Sequence, residues 1–284
     1  MIFFQKSADI HRYILQKRAE GSQIGFVPTM GALHAGHISL INQAKEKCDL
    51  VVCSIFVNPT QFNHASDLAS YPRTIEKDMQ LLLESNCDIL FHPGVEDIYG
   101  NDLEKESSSD YGEFIHVLEG ESRPGHFDGV VTILRKLFSI IEPNQVFFGQ
   151  KDYQQCLVVD TLIRRSFPQV VFNLCLIARE QDGLAMSSRN VRLSLKERNM
   201  ANQIFQSLSL IQTNWDAQNW LHGIEQAKEL LLKGNFIIEY ISVCNPVTLK
   251  ELVRFEPKAV ALVAVTLGKT RLIDNILLYW REEL

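Results

Sequence analysis

Residues 24–37 have the sequence IGFVPTMGALHAGH, in which a strand signal runs directly into a loop with two histidines. Its first four residues form a short apolar run typical of a strand, and we expect the strand to stop at Pro28. A helical pattern follows from about Ile38. The loop between this strand and this helix therefore lies where open α/β sheets bind their ligands.

More apolar runs alternate with helical patterns through the first two thirds of the chain. These runs are continuous, which suits parallel strands that are covered on both faces. The predicted strands cover residues 50–56, 88–91, 146–148 and 170–174, and the predicted helices cover 38–47, 74–86, 130–141 and 154–165. Strand and helix in alternation predict an α/β fold with a Rossmann-like, doubly wound parallel sheet.

The pattern changes after about residue 177. Ser194 and Glu197 have the spacing of a capping box, which predicts a helix that continues to about Ile211. A second helix is predicted at 220–233, followed by strands at 237–243, 259–267 and 270–275. We therefore expect a Rossmann-like domain at 1–176 and a smaller α+β C-terminal domain at 177–284, with the boundary at about 176–190.

Composition excludes several classes of protein. The 28 basic and 34 acidic residues give a net charge of −6 with no basic run, which argues against a nucleic-acid binder. The six cysteines lack CxxC or zinc-ligand spacing and resemble the reduced, buried thiols of cytosolic proteins. The N-terminus does not resemble a signal peptide, and no segment approaches the roughly 20 apolar residues that span a bilayer. We expect a cytoplasmic protein without membrane partners.

The histidines of the first loop are candidates for phosphate binding. His34 and His37 are three residues apart and are expected to share one face of the first helical turn. The N–H groups at a helix start attract phosphate, and two imidazoles there would stabilise a leaving pyrophosphate. Gly36 would let a flat base or a ribose approach the backbone. The alternative is a plain strand–loop–helix turn with two partly exposed histidines.

Two further segments contain cations suited to a triphosphate. Met186-Ser187-Ser188-Arg189 offers two hydroxyl donors and a guanidinium that can pair with phosphate oxygens, although it is also compatible with an ordinary polar turn. In the segment 147–155, Lys151 is a point charge suited to an α-phosphate under attack. Asp152 either caps the following helix or helps to position the nucleotide or a metal.

Two loops are weaker candidates for binding a small acid. Gln61 follows the second predicted strand, and its amide can both donate to and accept from hydroxyl and carboxylate groups. Residues 119–129 combine Arg123 and His126 with a glycine-rich turn. A solvated glutamine and a plain glycine-rich loop are the alternatives.

Taken together, these segments closely resemble the pantoate–β-alanine ligase family, within the superfamily of HIGH-motif nucleotidyltransferases. The motifs that carry the resemblance occur in the family's order and cover nearly the whole chain: VPTMGALHAGH, SIFVNPTQF, YPRT, EGESRPGHFDGV, FGQKDYQQ, DGLAMSSRN and RLIDN. Met186 to Arg189 stands where the superfamily has a KMSKS-like motif, but lacks its lysines.

The resemblance implies condensation of pantoate with β-alanine through a pantoyl-adenylate, with release of AMP and pyrophosphate. It implies ATP as a substrate with Mg²⁺, no resident metal, a homodimer, and a C-terminal domain that covers the active site. The catalytic residues would be His34, His37, Lys151 and Arg189. The ATP-binding residues would be Met30, Gly31, Ala32, Leu33, His34, Ala35, Gly36, His37, Gly149, Gln150, Lys151, Asp152, Ala178, Met186, Ser187, Ser188 and Arg189. Pantoate and β-alanine would contact Gln61, Gln155, Asn58 and Arg123.

The residue chemistry alone supports only an adenylate-forming or nucleotidyl-transferring α/β enzyme. Another HxGH-type nucleotidyltransferase, which would release a stable nucleotide conjugate, is therefore an alternative. A nucleotide-binding regulatory module without catalysis is a further alternative from another class. The ligase prediction requires that the histidines, Lys151 and Arg189 all contact one ATP.

Overall fold

The computed structural model describes residues 1–62, 68–69, 71–100 and 103–280. The chain divides into two units. The first unit comprises Met1–Gln150 and Gln154–Leu176, and the second comprises Lys151–Tyr153 and Ile177–Leu284. In the part of the chain that is described, no helix combines the length and the apolarity needed to cross a membrane.

A parallel sheet forms the centre of the first unit. Its six strands have the order β1-β4-β3-β2-β5-β6, and every neighbouring pair is parallel. The strands are β1 Ile2–Phe4, β2 Ile24–Thr29, β3 Leu50–Ile55, β4 Ile89–Phe91, β5 Gln145–Gly149 and β6 Val171–Cys175. The strand order reverses next to β2, between β2 and β5, and ligands bind at such a switch point, at the carboxyl ends of the strands.

Helices cover this sheet because its strands carry apolar side chains on both faces. Phe26 belongs to one hydrophobic cluster and its neighbour Val27 to another, as expected when successive strand residues point to opposite faces. The helices are α1 Ser7–Ala19, α2 Ala35–Lys47, α3 Ile75–Glu84, α4 Val95–Tyr99, α5 Glu119–Ser122, α6 His126–Ile141 and α7 Tyr153–Ser166. The predicted α/β fold with a doubly wound parallel sheet is therefore confirmed.

Strand β2 extends further than the sequence predicted. It continues through Pro28 to Thr29, and Pro28 is the partner of Ser54 in β3. On the other side, β5 pairs with β2 only as far as Phe26. Pro28 is tolerated because the β5 ladder has ended before it on that edge of β2, and proline is acceptable at such an edge.

The second unit contains a three-stranded antiparallel sheet in the order β7-β8-β9. Its elements are α8 Leu195–Met200, α9 Gln203–Thr213, α10 Trp220–Lys233, β7 Ile237–Cys244, β8 Lys258–Leu267 and β9 Thr270–Tyr279. Buried residues of α9, among them Ile204, Leu208 and Ile211, form a hydrophobic cluster with Val263 and Val265 of β8. The smaller α+β architecture of this unit is as predicted.

The capping box that opens α8 is present, but the helix it starts is shorter than predicted. The Ser194 hydroxyl accepts from the Glu197 backbone N–H, and the Glu197 carboxylate accepts from the Ser194 N–H at 2.7 Å. The prediction of one helix to Ile211 was wrong, since α8 ends at Met200 and a turn precedes α9. The buried residues Ala201 and Ile204 lie across the break, so apolar periodicity gave no sign of it.

Candidate active site

The loop after β2 is held in place by a buried carboxylate from α3. Asp78 accepts from the backbone N–H groups of Ala32 at 2.9 Å and Leu33 at 2.8 Å. It also accepts from the Thr74 hydroxyl at 3.0 Å and is only 1% exposed. Gly31 has a φ of +81°, a left-handed conformation that glycine adopts readily. The loop that carries the histidine motif is thus fixed before its helix begins.

His34 caps helix α2 and does not belong to its first turn. Its backbone is extended, with a φ of −144°, and its Nδ1 accepts from the Gly36 N–H at 3.1 Å. The sequence placed both histidines in the first helical turn, whereas His34 lies directly before that turn as the N-cap residue. The rings are nevertheless close, with centroids 4.1 Å apart. Because Nδ1 of His34 accepts, a neutral imidazole carries its proton on Nε2, where it can donate to a ligand.

Gln61 lies beside this loop because β3 is the neighbour of β2. Thr29 and Ile55 are paired at the ends of the two strands, and a 3-10 helix, Pro59–Gln61, follows β3. The Gln61 side-chain amide donates from Nε2 to Met30 Sδ at 2.8 Å. The predicted nucleotide loop and the predicted pantoate residue are therefore in direct contact within the first unit.

Asn58 orients Gln61, and both polar atoms of the Asn58 side chain make hydrogen bonds within the protein. Its Nδ2 donates to Gln61 Oε1 and to the Gly129 carbonyl, both at 3.0 Å. Its Oδ1 accepts from the Tyr99 hydroxyl at 2.6 Å and from the Thr60 hydroxyl at 3.0 Å. Only 1% of Asn58 is exposed. These contacts assign to Asn58 the positioning of Gln61.

The segment that contains Arg123 packs against the same loop. His126 Nδ1 donates to the Gln61 carbonyl at 2.9 Å, which leaves Nε2 to accept from Arg123 Nη1 at 3.2 Å. A Cβ atom at Gly129 would approach the Thr60 carbonyl oxygen to 2.5 Å, so only glycine fits there. Arg123 is thus linked to Gln61 through one histidine.

The segment after β5 divides between the two units. Gly149 and Gln150 belong to the first unit, and Lys151 belongs to the second. Gln155, the other predicted pantoate residue, lies half-buried on α7. Its neighbour Gln154 is 2% exposed and supports the chain before α5, because its Nε2 donates to the Phe114 and Val117 carbonyls at 2.6 and 2.8 Å.

The predicted phosphate-binding cations of the second unit lie together. Lys151, Ser187 and Arg189 line one small cavity with Arg271 and Asp274. The cavity has a volume of about 10 Å³, enough for one water molecule. Lys151 Nζ is 3.5 Å from Asp152 Oδ1, and the lysine side chain is 18% exposed. Lys151 and Arg189, which the sequence assigns to one phosphate site, both line this cavity, and their contact with phosphate stays a prediction.

A hairpin-like turn presents the segment Met186–Arg189. The Met186 N–H donates to the Ala178 carbonyl at 3.0 Å, which brings these two predicted nucleotide residues together. Gly183, with a φ of +92°, turns the chain between them. The Ser187 hydroxyl then accepts from the Arg189 N–H at 3.3 Å and caps the 3-10 helix Ser188–Arg192.

Sequence reasoning did not find the charged residues that hold these segments. Asp78 supports the first loop, and Arg179 and Asp274 form a buried ion pair beside the second. Asp78 belongs to a helix with an apolar stripe, and its distance from the loop in sequence gave no signal. Asp274 lies in the motif RLIDN, whose resemblance was noted without a role.

A family model described as Pantoate-beta-alanine ligase matches residues 2–277 of the chain. The chain belongs to the pantoate–β-alanine ligase family. Among curated members, the pantothenate synthetase of Acinetobacter baylyi is 46% identical over 261 residues, which are 89% of this chain and 90% of the relative.

Solved structures of the pantoate–β-alanine ligase family also match. The pantothenate synthetase of Thermus thermophilus has a TM-score of 0.92 at 35% identity and covers 99% of this chain and 100% of its own. The pantoate–β-alanine ligase of Francisella tularensis, described as complexed with Beta-gamma ATP and β-alanine, has a TM-score of 0.82 at 36% identity. It covers 98% of this chain and 97% of its own.

Proposed function

We propose that this protein joins pantoate to β-alanine with ATP as the energy source, through a pantoyl-adenylate, and releases AMP and pyrophosphate. The observation that carries the proposal is the 2.8 Å contact between Met30 of the histidine loop and Gln61. It brings a group suited to a hydroxy acid next to a loop suited to a nucleotide. Membership of the pantoate–β-alanine ligase family supports the same reaction.

In this proposal, the loop from Met30 to His37 in the first unit binds ATP. The His34 Nε2–H donates to a phosphate oxygen, because its Nδ1 is occupied by the Gly36 N–H. His37, whose ring centroid is 4.1 Å from that of His34, stabilises charge on the leaving pyrophosphate. Gly149 and Gln150, at the carboxyl end of β5, bind the nucleotide from the other side of the switch point.

The second unit contributes cations and hydroxyls. Lys151 and Arg189 bind the phosphates, and Ser187 and Ser188 donate hydrogen bonds to phosphate oxygens. Ala178 and Met186, joined by a backbone hydrogen bond of 3.0 Å, contact the adenosine.

Pantoate binds through two amides. Gln61 and Gln155 contact its hydroxyl and carboxylate groups, since a primary amide can donate to one and accept from the other. Asn58 supports Gln61, and Arg123 acts at the same loop through His126. The carboxylate is thereby aimed at the α-phosphorus of ATP.

The chemistry proceeds in two displacements. A carboxylate oxygen of pantoate attacks the α-phosphorus, the bond from that phosphorus to pyrophosphate breaks, and pantoyl-adenylate forms. The uncharged amine of β-alanine then attacks the acyl carbon, the bond to AMP breaks, and the amine loses a proton. The protein positions the reactants and stabilises developing negative charge, which requires no side-chain nucleophile.

Mg²⁺ fits the proposed substrate. This ion is usually bound by substrate phosphates and one or two carboxylates, where it neutralises phosphate charge. Asp152, next to Lys151 with a side chain 51% exposed, is a carboxylate of the phosphate segment that suits this role. In the described part of the chain, no group of three or more histidine, cysteine, aspartate or glutamate side chains is arranged to hold a metal ion.

Product analysis tests the proposal. The protein is incubated with Mg-ATP, pantoate and β-alanine, and mass spectrometry should detect pantothenate, AMP and pyrophosphate in equal amounts. Formation of ADP and phosphate would contradict the adenylate route, and a stable nucleotide conjugate would indicate a nucleotidyltransferase. The variants His37→Ala and Lys151→Ala should lower the turnover by roughly 10²–10³. His222→Ala and Lys233→Ala, which remove exposed side chains, serve as matched controls.

We also propose a homodimer in the cytoplasm. Strand β6 supports the association of two copies, because it is an edge strand of the described sheet. Its apolar residues Val171 and Leu174 are 54% and 41% exposed. The six buried thiols fit a reducing compartment. Light scattering of the purified protein tests the dimer, and cell fractionation tests the compartment.

A further inference from the structure

Two polar residues lie buried in the middle of strand β9, opposite apolar residues of β8. Asp274 is 3% exposed and Asn275 is 1% exposed, and they pair with Val263 and Leu262 of β8. Buried carboxylates and amides are costly unless their hydrogen bonds are made. Two adjacent buried polar residues therefore need hydrogen-bond partners inside the protein.

Arg179 provides the partner of the buried carboxylate. Its Nη1 and Nη2 donate to the two oxygens of Asp274 at 2.6 and 3.0 Å. Its guanidinium also lies 4.2 Å from the centroid of the Phe205 ring. Burial raises the pKa of the Asp274 carboxyl, and the Arg179 guanidinium opposes that rise. Because the pair is bidentate, its geometry holds the two side chains in one relative orientation.

The same network reaches the backbone of Lys151. Asn275 Nδ2 donates to the Lys151 carbonyl at 3.0 Å. The Asn275 backbone N–H donates to Asp274 Oδ1 at 2.7 Å, and its carbonyl accepts from Arg179 Nη2 at 3.3 Å. The amide that holds Lys151 is thus itself held by the ion pair.

At its other end the network reaches the turn before Arg189. Arg179 Nη1 donates to the Gly183 carbonyl at 3.0 Å, and Arg179 is bridged to Ala185 across the hairpin. Asn190 Nδ2 donates back to the Ala185 carbonyl at 3.1 Å. One guanidinium therefore connects the segment that carries Arg189 to the strand that holds Lys151.

We propose that Asn275 is a positioning residue for Lys151, and that the Arg179–Asp274 pair fixes Asn275 and so sets the spacing between Lys151 and Arg189. The inference rests on the proposed function, in which both cations bind one triphosphate. A displacement of about 1 Å at a reacting group can reduce a rate about 100-fold, so a backbone anchor under Lys151 has a measurable effect.

A double-mutant cycle tests the proposal, since it separates action through Lys151 from general damage. Asn275→Ala should lower kcat roughly 10-fold to 100-fold. In a Lys151→Ala background the same change should lower kcat less than about 2-fold, because the group that Asn275 positions is gone. The proposal would be overturned if Asn275→Ala lowered kcat by the same factor in the Lys151→Ala background as in the wild type. It would also be overturned if Asn275→Ala alone kept the wild-type kcat.

A second variant covers the case in which Asn275→Ala does not fold. Asn275→Asp keeps the size of the side chain but removes the donor to the Lys151 carbonyl, and it should show the same dependence on Lys151. Asn214→Ala is the matched control, because Asn214 also donates to a backbone carbonyl, that of Leu210 at 2.8 Å, but does so at the end of α9. It should leave kcat unchanged.

The proposed function and this inference fail in different ways. If the wild-type protein makes no pantothenate, the proposed function fails. If it makes pantothenate and Lys151→Ala keeps the wild-type turnover, the role of Lys151 fails, and the positioning role of Asn275 fails with it. If Lys151→Ala is impaired while Asn275→Ala and Asn275→Asp match the wild type, only the positioning role fails.

Discussion

Asp78 accepts a hydrogen bond from the Ala32 backbone N–H at 2.9 Å, across 46 residues of sequence. Asp78→Asn replaces one acceptor oxygen by an amide that faces a donor, so the histidine loop should loosen. We expect the KM for ATP to rise about 10-fold to 100-fold, because a hydrogen bond to a charged group contributes ~1.5–3 kcal/mol. Asp88→Asn is the control, because Asp88 accepts from the Val51 backbone N–H outside the loop. Equal KM values in both variants would contradict this role.

Gly31 should be intolerant of any side chain. Its φ is +81°, and a Cβ atom would lie 3.0 Å from Ile55 Cγ2 and 3.1 Å from Asp78 Oδ2. Gly31→Ala should therefore cost about 1–2 kcal/mol in backbone strain alone and lower kcat/KM for ATP. Urea unfolding and steady-state kinetics measure the two effects. Gly94→Ala, where a Cβ atom meets nothing within 4 Å, should behave as the wild type. A fully active Gly31→Ala variant would refute the prediction.

Asn58→Asp should raise the KM for pantoate more than the KM for ATP. The change replaces the donor to Gln61 Oε1 and the Gly129 carbonyl with a buried acceptor, so Gln61 loses its orientation. Asn173→Asp is the matched control, because Asn173 Nδ2 also donates to a glutamine Oε1 and a backbone carbonyl, at 3.2 and 3.3 Å. Kinetics with each substrate varied in turn give the measurement, and an unchanged KM for pantoate counts against the role.

The cysteines should resist thiol reagents in the folded protein. Burial raises the pKa of Cys48 and Cys175 to about 11 and that of Cys87 and Cys244 to about 12. At pH 8 a thiol of pKa 11 is thiolate in about one molecule in a thousand, and the thiolate is the reactive form. Ellman's reagent should therefore react slowly with the native protein. After unfolding it should react rapidly with all six thiols. Rapid modification of the native protein would be inconsistent with this burial.

Acid should remove a small stabilising contribution at Asp182. Hydrogen bonds from Arg198 lower the pKa of the Asp182 carboxyl below its ordinary value of 3.8. A lowered pKa in the folded state stabilises the protein above pH 3.8, and this contribution disappears as the pH falls through the folded pKa. Because the pair is partly exposed, Asp182→Asn should cost at most about 1 kcal/mol at pH 7 and less near pH 2. Urea unfolding of both proteins at the two pH values provides the comparison.

Local signals predicted much of the fold. The apolar runs located five strands of the parallel sheet, and α10 occupies the predicted residues 220–233. Strand β1 was missed, because a strand of three residues has too few positions to show a period. Helix α1, which follows it, was missed as well. The break between α8 and α9 was missed because Ala201 and Ile204 continue the apolar pattern through it.

The candidate site was predictable only where its residues form motifs. Met30 and Gln61 each lie in a motif after a predicted strand, but their contact follows only from the pairing of β2 with β3 in the structure. The long-range supports were not anticipated, because Asp78 and the Arg179–Asp274 pair act across 46 and 95 residues of chain. The residue type does not reveal whether a charged side chain is buried or solvated, and only the tertiary structure distinguishes the two cases.

The chain leaves the first unit after Gln150, returns after Tyr153, and leaves again after Leu176. No single cut of the gene can therefore separate the two units intact. A fragment that starts at residue 177 would lack the carbonyl that Asn275 binds and the Tyr153 hydroxyl that donates to the Pro246 carbonyl at 2.8 Å. Domain exchange between homologous enzymes must accordingly transplant Lys151–Tyr153 together with the C-terminal half, or the chimera will carry mismatched anchors.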